Sequence, residues 1–363
     1  MSATIHKAAI IGGGVIGAGW LARLIENGIE VAVFDPDPEA ERKINAVLSN
    51  SRHAYAKLTM APRHSEGAIR FCADLASAVT GAELIIESVP ERLDIKQAVY
   101  AEMEQHADPA ALIASSTSGI LPSDLQTGMQ HPQRLLVAHP FNPVYLLPVV
   151  EVVGGQQTDP AAIERAMAIY QSLGMKPVHI KQEIEAFVAD RLLEAVWREA
   201  LWLVSDGIAT TQEIDDIMRY GFGLRWAQMG LFETYRVAGG EAGMRHFMAQ
   251  FGPCLSWPWT KLMDVPAFTE ELVDLIANQS DAQSGQYSIR ELERIRDNNL
   301  IAILQALRAQ NWGAGAVLAD HEKIRYDAAA QQGTGAADVI DYSQPIRTVN
   351  RTVPTDWTDY ITT

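Results

Sequence analysis

His139 and Glu151 are the residues of this chain whose types and surroundings best suit acid–base chemistry. His139 follows the apolar residues 135–137 and precedes Pro-Phe-Asn-Pro, while Glu151 interrupts a second apolar, β-branched run at 146–153. A carboxylate within a buried strand must be paired, hydrogen-bonded or protonated. If the two strands lie side by side, Glu151 accepts from one ring nitrogen of His139. The other nitrogen is then free to take the proton of a substrate hydroxyl, the arrangement of a base and its orienter. A histidine at a strand end is also a common packing residue, so the pair alone leaves both roles open. Two further positions qualify. Ser118 closes the run Ser115-Ser116-Thr117-Ser118 directly after the apolar residues 111–114, where hydroxyls either cap a helix or hold a ligand. Asp190 shares a helical face with Phe187, Glu194 and Trp197 by three- and four-residue spacing, as a paired core group or a ligand group.

A second kind of chemistry is written near the N-terminus. Residues 8–11 form a short apolar strand, followed at once by Gly12-Gly13-Gly14-Val15-Ile16-Gly17 and the start of a helix. This is G-x-G-x-x-G in its informative context: Gly12 permits the tight turn, Gly14 lets a pyrophosphate approach the backbone, and Gly17 lets helix and strand pack closely. Val15 and Ile16 lie in the same loop. The next strand, 31–34, ends at Asp35, where an acid accepts from the adenosine ribose hydroxyls and repels a 2′-phosphate; the following Pro36-Asp37-Pro38 holds no arginine to bind one. NAD is therefore the expected cofactor.

These residues need a scaffold, and the apolar runs supply it. Strands are expected at 8–11, 31–34, 69–72, 84–87, 111–114, 135–137, 146–153 and 177–180, with helical stretches between most of them. The fold class is α/β, a Rossmann-like, doubly wound and mostly parallel sheet. Pro140 is expected to stop the pairing of the strand before it. After about residue 185 the alternation stops and the spacing is helical, including Thr210-Thr211-Gln212-Glu213, a capping box. The expected organisation is 1–184 nucleotide-binding, 185–318 an all-α C-terminal domain, and 319–363 a polar, linker-like tail.

Composition narrows the function classes. The 363 residues are 48% hydrophobic and 20% charged, enough for two domains with proper cores. No run of about 18 apolar residues crosses a membrane, and residues 1–7 lead straight into a strand, so a cytoplasmic chain is expected. Cys72 and Cys254 form neither a disulfide framework nor a metal-ligand spacing, and no metal is expected. A net charge of -16 argues against nucleic acid. Taken alone, these residues support an NAD-linked alcohol dehydrogenase.

Several of these residues, in this order, resemble the 3-hydroxyacyl-CoA dehydrogenase family over roughly residues 5–315: the glycine loop with Asp35, Glu91 and Lys96 at the family's cofactor-binding spacing, Ser116-Thr117-Ser118, His139-Pro-Phe-Asn-Pro, Glu151, and Phe187-Val188-Ala189-Asp190-Arg191. The resemblance implies that His139 takes the hydroxyl proton, Glu151 orients it, Ser118 hydrogen-bonds the reacting oxygen, and Ser116, Glu91 and Lys96 serve the cofactor. It also implies a homodimer. Two departures matter. The family usually reads Pro-Gly-Phe-x-x-Asn-Arg where this chain has Glu185-Ala186-Phe187-Val188-Ala189-Asp190-Arg191, so the substrate-side Asn has become an acid. No lysine-rich lip for a CoA phosphate is evident. An acid beside the reaction centre disfavours an acyl thioester and suits a cation.

The helical part also carries Trp197, Trp202, Trp226, Phe232, Tyr235, Trp257 and Trp259. Aromatic faces with a carboxylate suit a quaternary ammonium, at roughly 0.5 to 2 kcal/mol per cation–π contact, although scattered aromatics are usually core. The stretches 221–235 and 251–254 look like the carnitine-oxidising branch of the same family, which implies L-carnitine as the small-molecule substrate. A 3-hydroxyacyl-CoA, L-gulonate as substrate, or a non-catalytic crystallin-like NAD-binding role are the alternatives. The end of the tail, residues 353–360, is similar to the start of a hotdog-fold thioesterase domain, such as those to which some of that branch are fused.

Overall fold

The computed structural model describes residues 5–58, 65–227, 229–260 and 269–311. The expectations for the tail at 319–363 lie outside these residues. The chain divides into two compact units, Met1–Trp197 and Arg198–Thr363.

The first unit alternates strands and helices: β1 (Lys7–Ile11), α1 (Val15–Glu26), β2 (Glu30–Phe34), α2 (Ala40–Leu58), β3 (Ile69–Phe71), α3 (Leu75–Val79), β4 (Leu84–Glu87), α4 (Leu93–Met103), β5 (Leu112–Ser115), α5 (Pro122–Leu125), β6 (Leu135–Pro140), β7 (Val149–Gly154), α6 (Pro160–Ser172) and β8 (Lys176–Ile180). They build one sheet in the order β3-β2-β1-β4-β5-β6-β7-β8. All pairings are parallel except β6 with β7. The order reverses between β1 and β4, and in such sheets ligands bind beyond the carboxyl ends of the strands at the reversal.

The central strands are continuous apolar runs because both faces are covered. In β1, Ala8 and Ile10 join one apolar layer with Trp20, Leu24 and Tyr170, while Ala9 and Ile11 join the opposite layer with Val79, Tyr100 and Phe187. β3 and β8, at the edges, are only partly buried.

One expectation is corrected. Pro140 does not stop the pairing, since β6 runs through it and Pro140 faces Val150 in β7. Proline removes one N–H from the ladder and leaves its carbonyl, and the chain bends only from residue 142. The strand predicted from 146 also begins later, at Val149, with Leu146 and Leu147 partly exposed before it.

A long helix, α7 (Ala189–Ser205), begins in the first unit, and the division between units falls within it. The second unit is helical where described: α8 (Thr211–Ile217), α9 (Gly223–Trp226), α10 (Gly230–Ala238), α11 (Gly243–Phe251), α12 (Glu270–Ser284) and α13 (Ile289–Ala309). Thr210 and Glu213 make both bonds of the expected capping box, and Ser288 with Glu291 makes a second. Small apolar clusters hold the unit, one of Met229, Val237, Ile289 and Leu292, another of Met244, Met248 and Val273.

Candidate active site

The antiparallel pairing of β6 and β7 sets His139 directly opposite Glu151. The two side chains are buried, and His139 Nδ1 lies 2.9 Å from Glu151 Oε2. The other carboxylate oxygen, Oε1, accepts from the backbone N–H groups of Val188 and Ala189, each at 3.0 Å. They lie at the N-terminus of α7, an end that favours a negative charge. Phe187, fully buried, and Phe141 flank the imidazole at ring separations of 5.7 and 5.2 Å. Because Glu151 already accepts through Oε1, Nδ1 is the donor of this pair, which leaves Nε2 for a second partner. Asp190 Oδ2 stands 3.9 Å from Nε2, outside hydrogen-bonding distance, so it adds charge beside that nitrogen without occupying it. Burial holds the Asp190 carboxyl above the usual carboxylate range; the Glu151 and Glu194 charges push the same way, and His139 opposes them.

The segment that turns into α7 has an unusual backbone. Ala186 and Phe187 both have positive φ, 60° and 48°, a region that costs residues with a Cβ roughly 1–2 kcal/mol each. The turn delivers Phe187 to the core and Val188 N–H to Glu151.

Ser118 follows β5. Its N–H donates to Glu91 Oε1 at 3.0 Å, and its exposed hydroxyl makes no hydrogen bond to another described residue. The same Glu91 oxygen accepts from Thr117 Oγ1 and from Gly119 N. Burial raises the Glu91 carboxyl, but the Thr117 bond and the Lys96 charge prevail and hold it below the usual range. Lys96 is buried, its Nζ 3.3 Å from Glu91 Oε2 and 2.7 Å from Glu87 Oε1. Ser116 Oγ accepts from Trp20 Nε1 at 3.1 Å and lies 3.0 Å from Ser88 Oγ.

The glycine loop is built as the dinucleotide fingerprint requires. Gly12 has φ 96°, and a Cβ on Gly17 would fall 1.9 Å from the Gly12 carbonyl. Gly14 is the N-cap of α1, has no side-chain cap, and faces open space. Val15 is 61% exposed at the first turn and Ile16 half-buried behind it. An uncapped helix N-terminus with open approach fits a pyrophosphate. Asp35 accepts from Gly13 N at 2.6 Å and from Asp37 N at 2.8 Å, placing its carboxylate beside the loop where ribose hydroxyls would donate. The nearest cations in sequence, Arg42 and Lys43, pair with Glu39 and Asp37.

Residues 7–184 match the family model described as 3-hydroxyacyl-CoA dehydrogenase, NAD binding domain, and residues 187–274 match that of the 3-hydroxyacyl-CoA dehydrogenase C-terminal domain. The chain belongs to the 3-hydroxyacyl-CoA dehydrogenase family. It is an oxidoreductase with NAD as its cofactor. Among relatives in this family, the L-carnitine dehydrogenase/betainyl-CoA thioesterase of Ruegeria pomeroyi is 63% identical over 97% of this chain and 72% of its own length. The L-carnitine dehydrogenase of Mesorhizobium japonicum is 65% identical over 88% of this chain and 89% of its own. A crystal structure of 5-formyl-3-hydroxy-2-methylpyridine 4-carboxylic acid 5-dehydrogenase, an NAD+ dependent dismutase, aligns with TM-score 0.67 and 30% identity over 84% of this chain and 99% of the other.

The structure thus brings together two groups of the expected site residues of this family: His139, Glu151 and Asp190, and separately Ser118, Glu91 and Lys96. Four participants escaped the sequence reading: the N–H groups of Val188 and Ala189, and the side chains of Glu87 and Tyr100. Glu87 ends an apolar strand run, and Lys96 and Tyr100 are four residues apart on one helix; that spacing was the available signal. Some aromatic rings of the helical unit pair, with Phe222 and Trp226 at 4.6 Å, Tyr235 and Phe247 at 4.6 Å, and Trp257 and Trp259 at 4.9 Å. No helix among the described residues is long and apolar enough to cross a membrane, and no group of three or more His, Cys, Asp or Glu among them could hold a metal.

Proposed function

We propose that this chain oxidises the 3-hydroxyl of L-carnitine to 3-dehydrocarnitine. The observation that carries the reading is the Asp190 carboxylate 3.9 Å from Nε2 of His139. In L-carnitine one methylene separates the carbinol carbon from the quaternary nitrogen, so a hydroxyl bonded to Nε2 puts the cation within reach of Asp190. The names of the Ruegeria and Mesorhizobium relatives support the same substrate.

In this reading Nε2 of His139 accepts the hydroxyl proton. Glu151 keeps the ring oriented through Nδ1 and offsets the imidazolium charge, and Ser118 donates to the reacting oxygen as it becomes a carbonyl. Bound NAD supplies the hydride acceptor. Gly12, Gly14, Val15, Ile16 and Gly17 would hold its pyrophosphate, Asp35 its adenosine ribose, and Ser116, Glu91 and Lys96 would serve its nicotinamide half. The domain limits expected from the sequence, 1–184 and 185–318, are retained for these roles. The apolar face of α7, with Leu193 56%, Trp197 58% and Leu201 49% exposed one turn apart, supports a homodimer, because such a stripe is normally covered. NAD use and two free cysteines suit the cytoplasm.

The test is NADH formation with L-carnitine, D-carnitine, L-gulonate and 3-hydroxybutyryl-CoA side by side. Turnover of L-carnitine alone supports the assignment. Turnover of the CoA ester or of gulonate in its place keeps the His139 chemistry and removes the substrate.

A further inference from the structure

The buried group beneath Ser118 has a charge balance that the acid–base chemistry does not use. Glu87, the last residue of β4, is fully buried and accepts four bonds: Lys96 Nζ at 2.7 Å, Val89 N at 2.8 Å, Tyr100 OH at 2.5 Å and Ser115 Oγ at 2.6 Å. Two of these donors, the ammonium and the backbone N–H, can only donate. The phenol of Tyr100 stays protonated, because burial and then the Glu87 charge push its pKa well above the ordinary value. Ser115 Oγ donates to Glu87 Oε2 and accepts from Thr117 N at 3.3 Å. A carboxyl surrounded by donors on both oxygens is a carboxylate. Lys96 Nζ also lies 3.3 Å from Glu91 Oε2. One ammonium therefore faces two carboxylates, and one negative charge is left over.

That surplus sits at the carboxyl ends of β4 and β5, next to the reversal of strand order between β1 and β4. Asp35 and β2 take the adenosine half on one side of the reversal, which leaves the β4–β5 side to the nicotinamide half. The oxidised nicotinamide ring is a cation and the reduced ring is neutral. We infer that the Glu87–Lys96–Glu91 group makes this site bind the oxidised cofactor in preference to the reduced one. The surplus charge stabilises NAD+ and leaves NADH almost untouched. It thereby lowers the reduction potential of the bound couple. The inference holds whichever alcohol is oxidised.

The experiment is binding, not turnover. Dissociation constants for NAD+ and NADH are measured by calorimetry on the full chain and on three variants. Glu91→Gln keeps an amide oxygen for Thr117, Ser118 and Gly119 while removing the surplus charge. Glu87→Gln removes the same charge from the buried end. Tyr100→Phe removes a bond to Glu87 and no charge. The ratio Kd(NADH)/Kd(NAD+) is expected to fall roughly three- to thirtyfold in either glutamine variant, the range for losing one partly screened charge, and to stay put in Tyr100→Phe. A merely structural role would weaken both cofactors together and leave the ratio unmoved. An unchanged ratio in Glu91→Gln, or an equal fall in Tyr100→Phe, overturns the inference. If Glu87→Gln does not fold, Glu91→Gln with Tyr100→Phe still decides it.

Discussion

Replacing Asp190 by Asn changes one charge and almost no volume, and the geometry says what that charge should be worth. Asp190 Oδ2 lies 3.9 Å from His139 Nε2, so a quaternary nitrogen one methylene from the carbinol carbon comes within about 6 Å of it. At that separation a unit charge pair is worth roughly 1.5 to 3 kcal/mol for an effective dielectric between 20 and 40. The Asp190 side chain is 29% exposed, which favours the lower end. Asp190→Asn should therefore cost L-carnitine roughly ten- to a hundredfold in kcat/KM. The assay pairs L-carnitine with its carbon isostere, 3-hydroxy-5,5-dimethylhexanoate, in which a neutral tert-butyl group replaces trimethylammonium. Asp190 also faces the imidazolium that forms when His139 takes the proton, a loss shared by both substrates. The isostere reads that shared part, and the excess loss for L-carnitine reads recognition of the cation. Equal losses for the two substrates would refute the reasoning, as would no loss for L-carnitine.

Three further outcomes are expected. His139→Ala should lower kcat by about 10²-fold or more, the usual cost of losing a general base; steady-state NADH formation checks it, and a loss of only a few-fold removes His139 from that role. Ala186 has φ 60°, so Ala186→Gly should stabilise the first unit by about 0.5–1 kcal/mol, the relief of the left-handed strain less the extra freedom of glycine when unfolded; urea unfolding measures it, and destabilisation would count against the strain. The Asp190 carboxyl is raised chiefly by burial, so the folded state holds its proton more tightly than the unfolded state. The wild type then loses stability as pH rises from the ordinary carboxylate range through the raised value. Asp190→Asn escapes that loss, so its Tm should exceed that of the wild type near pH 7, with the gap closing below about pH 4; a gap independent of pH would contradict the assignment.

The strands of the sheet were legible because each central strand is a continuous apolar run bounded by Gly, Pro, Asp or Ser, and the glycine loop because Gly12 and Gly17 meet steric demands that no other residue meets. The direction of β7 was not stated from the sequence, yet it was available. The segment 141–148 between β6 and β7 is too short for a parallel crossover, which takes a dozen or more residues, so β7 had to return antiparallel. That return is what puts His139 opposite Glu151. The conditional pairing read from the sequence therefore rests on a connection length.

The rest of the site was hidden for a different reason. Nothing in Glu185-Ala186-Phe187-Val188 signals left-handed backbone, because that signal is normally a glycine. The conformation here is imposed by tertiary contacts, with Phe187 in the core and the N–H groups of Val188 and Ala189 on Glu151. Departures from the family pattern thus fall together at the start of α7 and act on one imidazole. The strained turn at Ala186 supports Glu151, which holds Nδ1, and four residues later Asp190 brings charge to Nε2. The double variant Ala186→Gly, Asp190→Asn tests whether the two act separately. Both reach Glu151 and His139, so their effects on stability should depart from additivity by about 0.5 kcal/mol or more, while the loss of L-carnitine selectivity should follow Asp190→Asn alone. Selectivity lost with Ala186→Gly by itself would mean that the turn sets the position of Asp190, and the charge argument would then need the backbone as its cause.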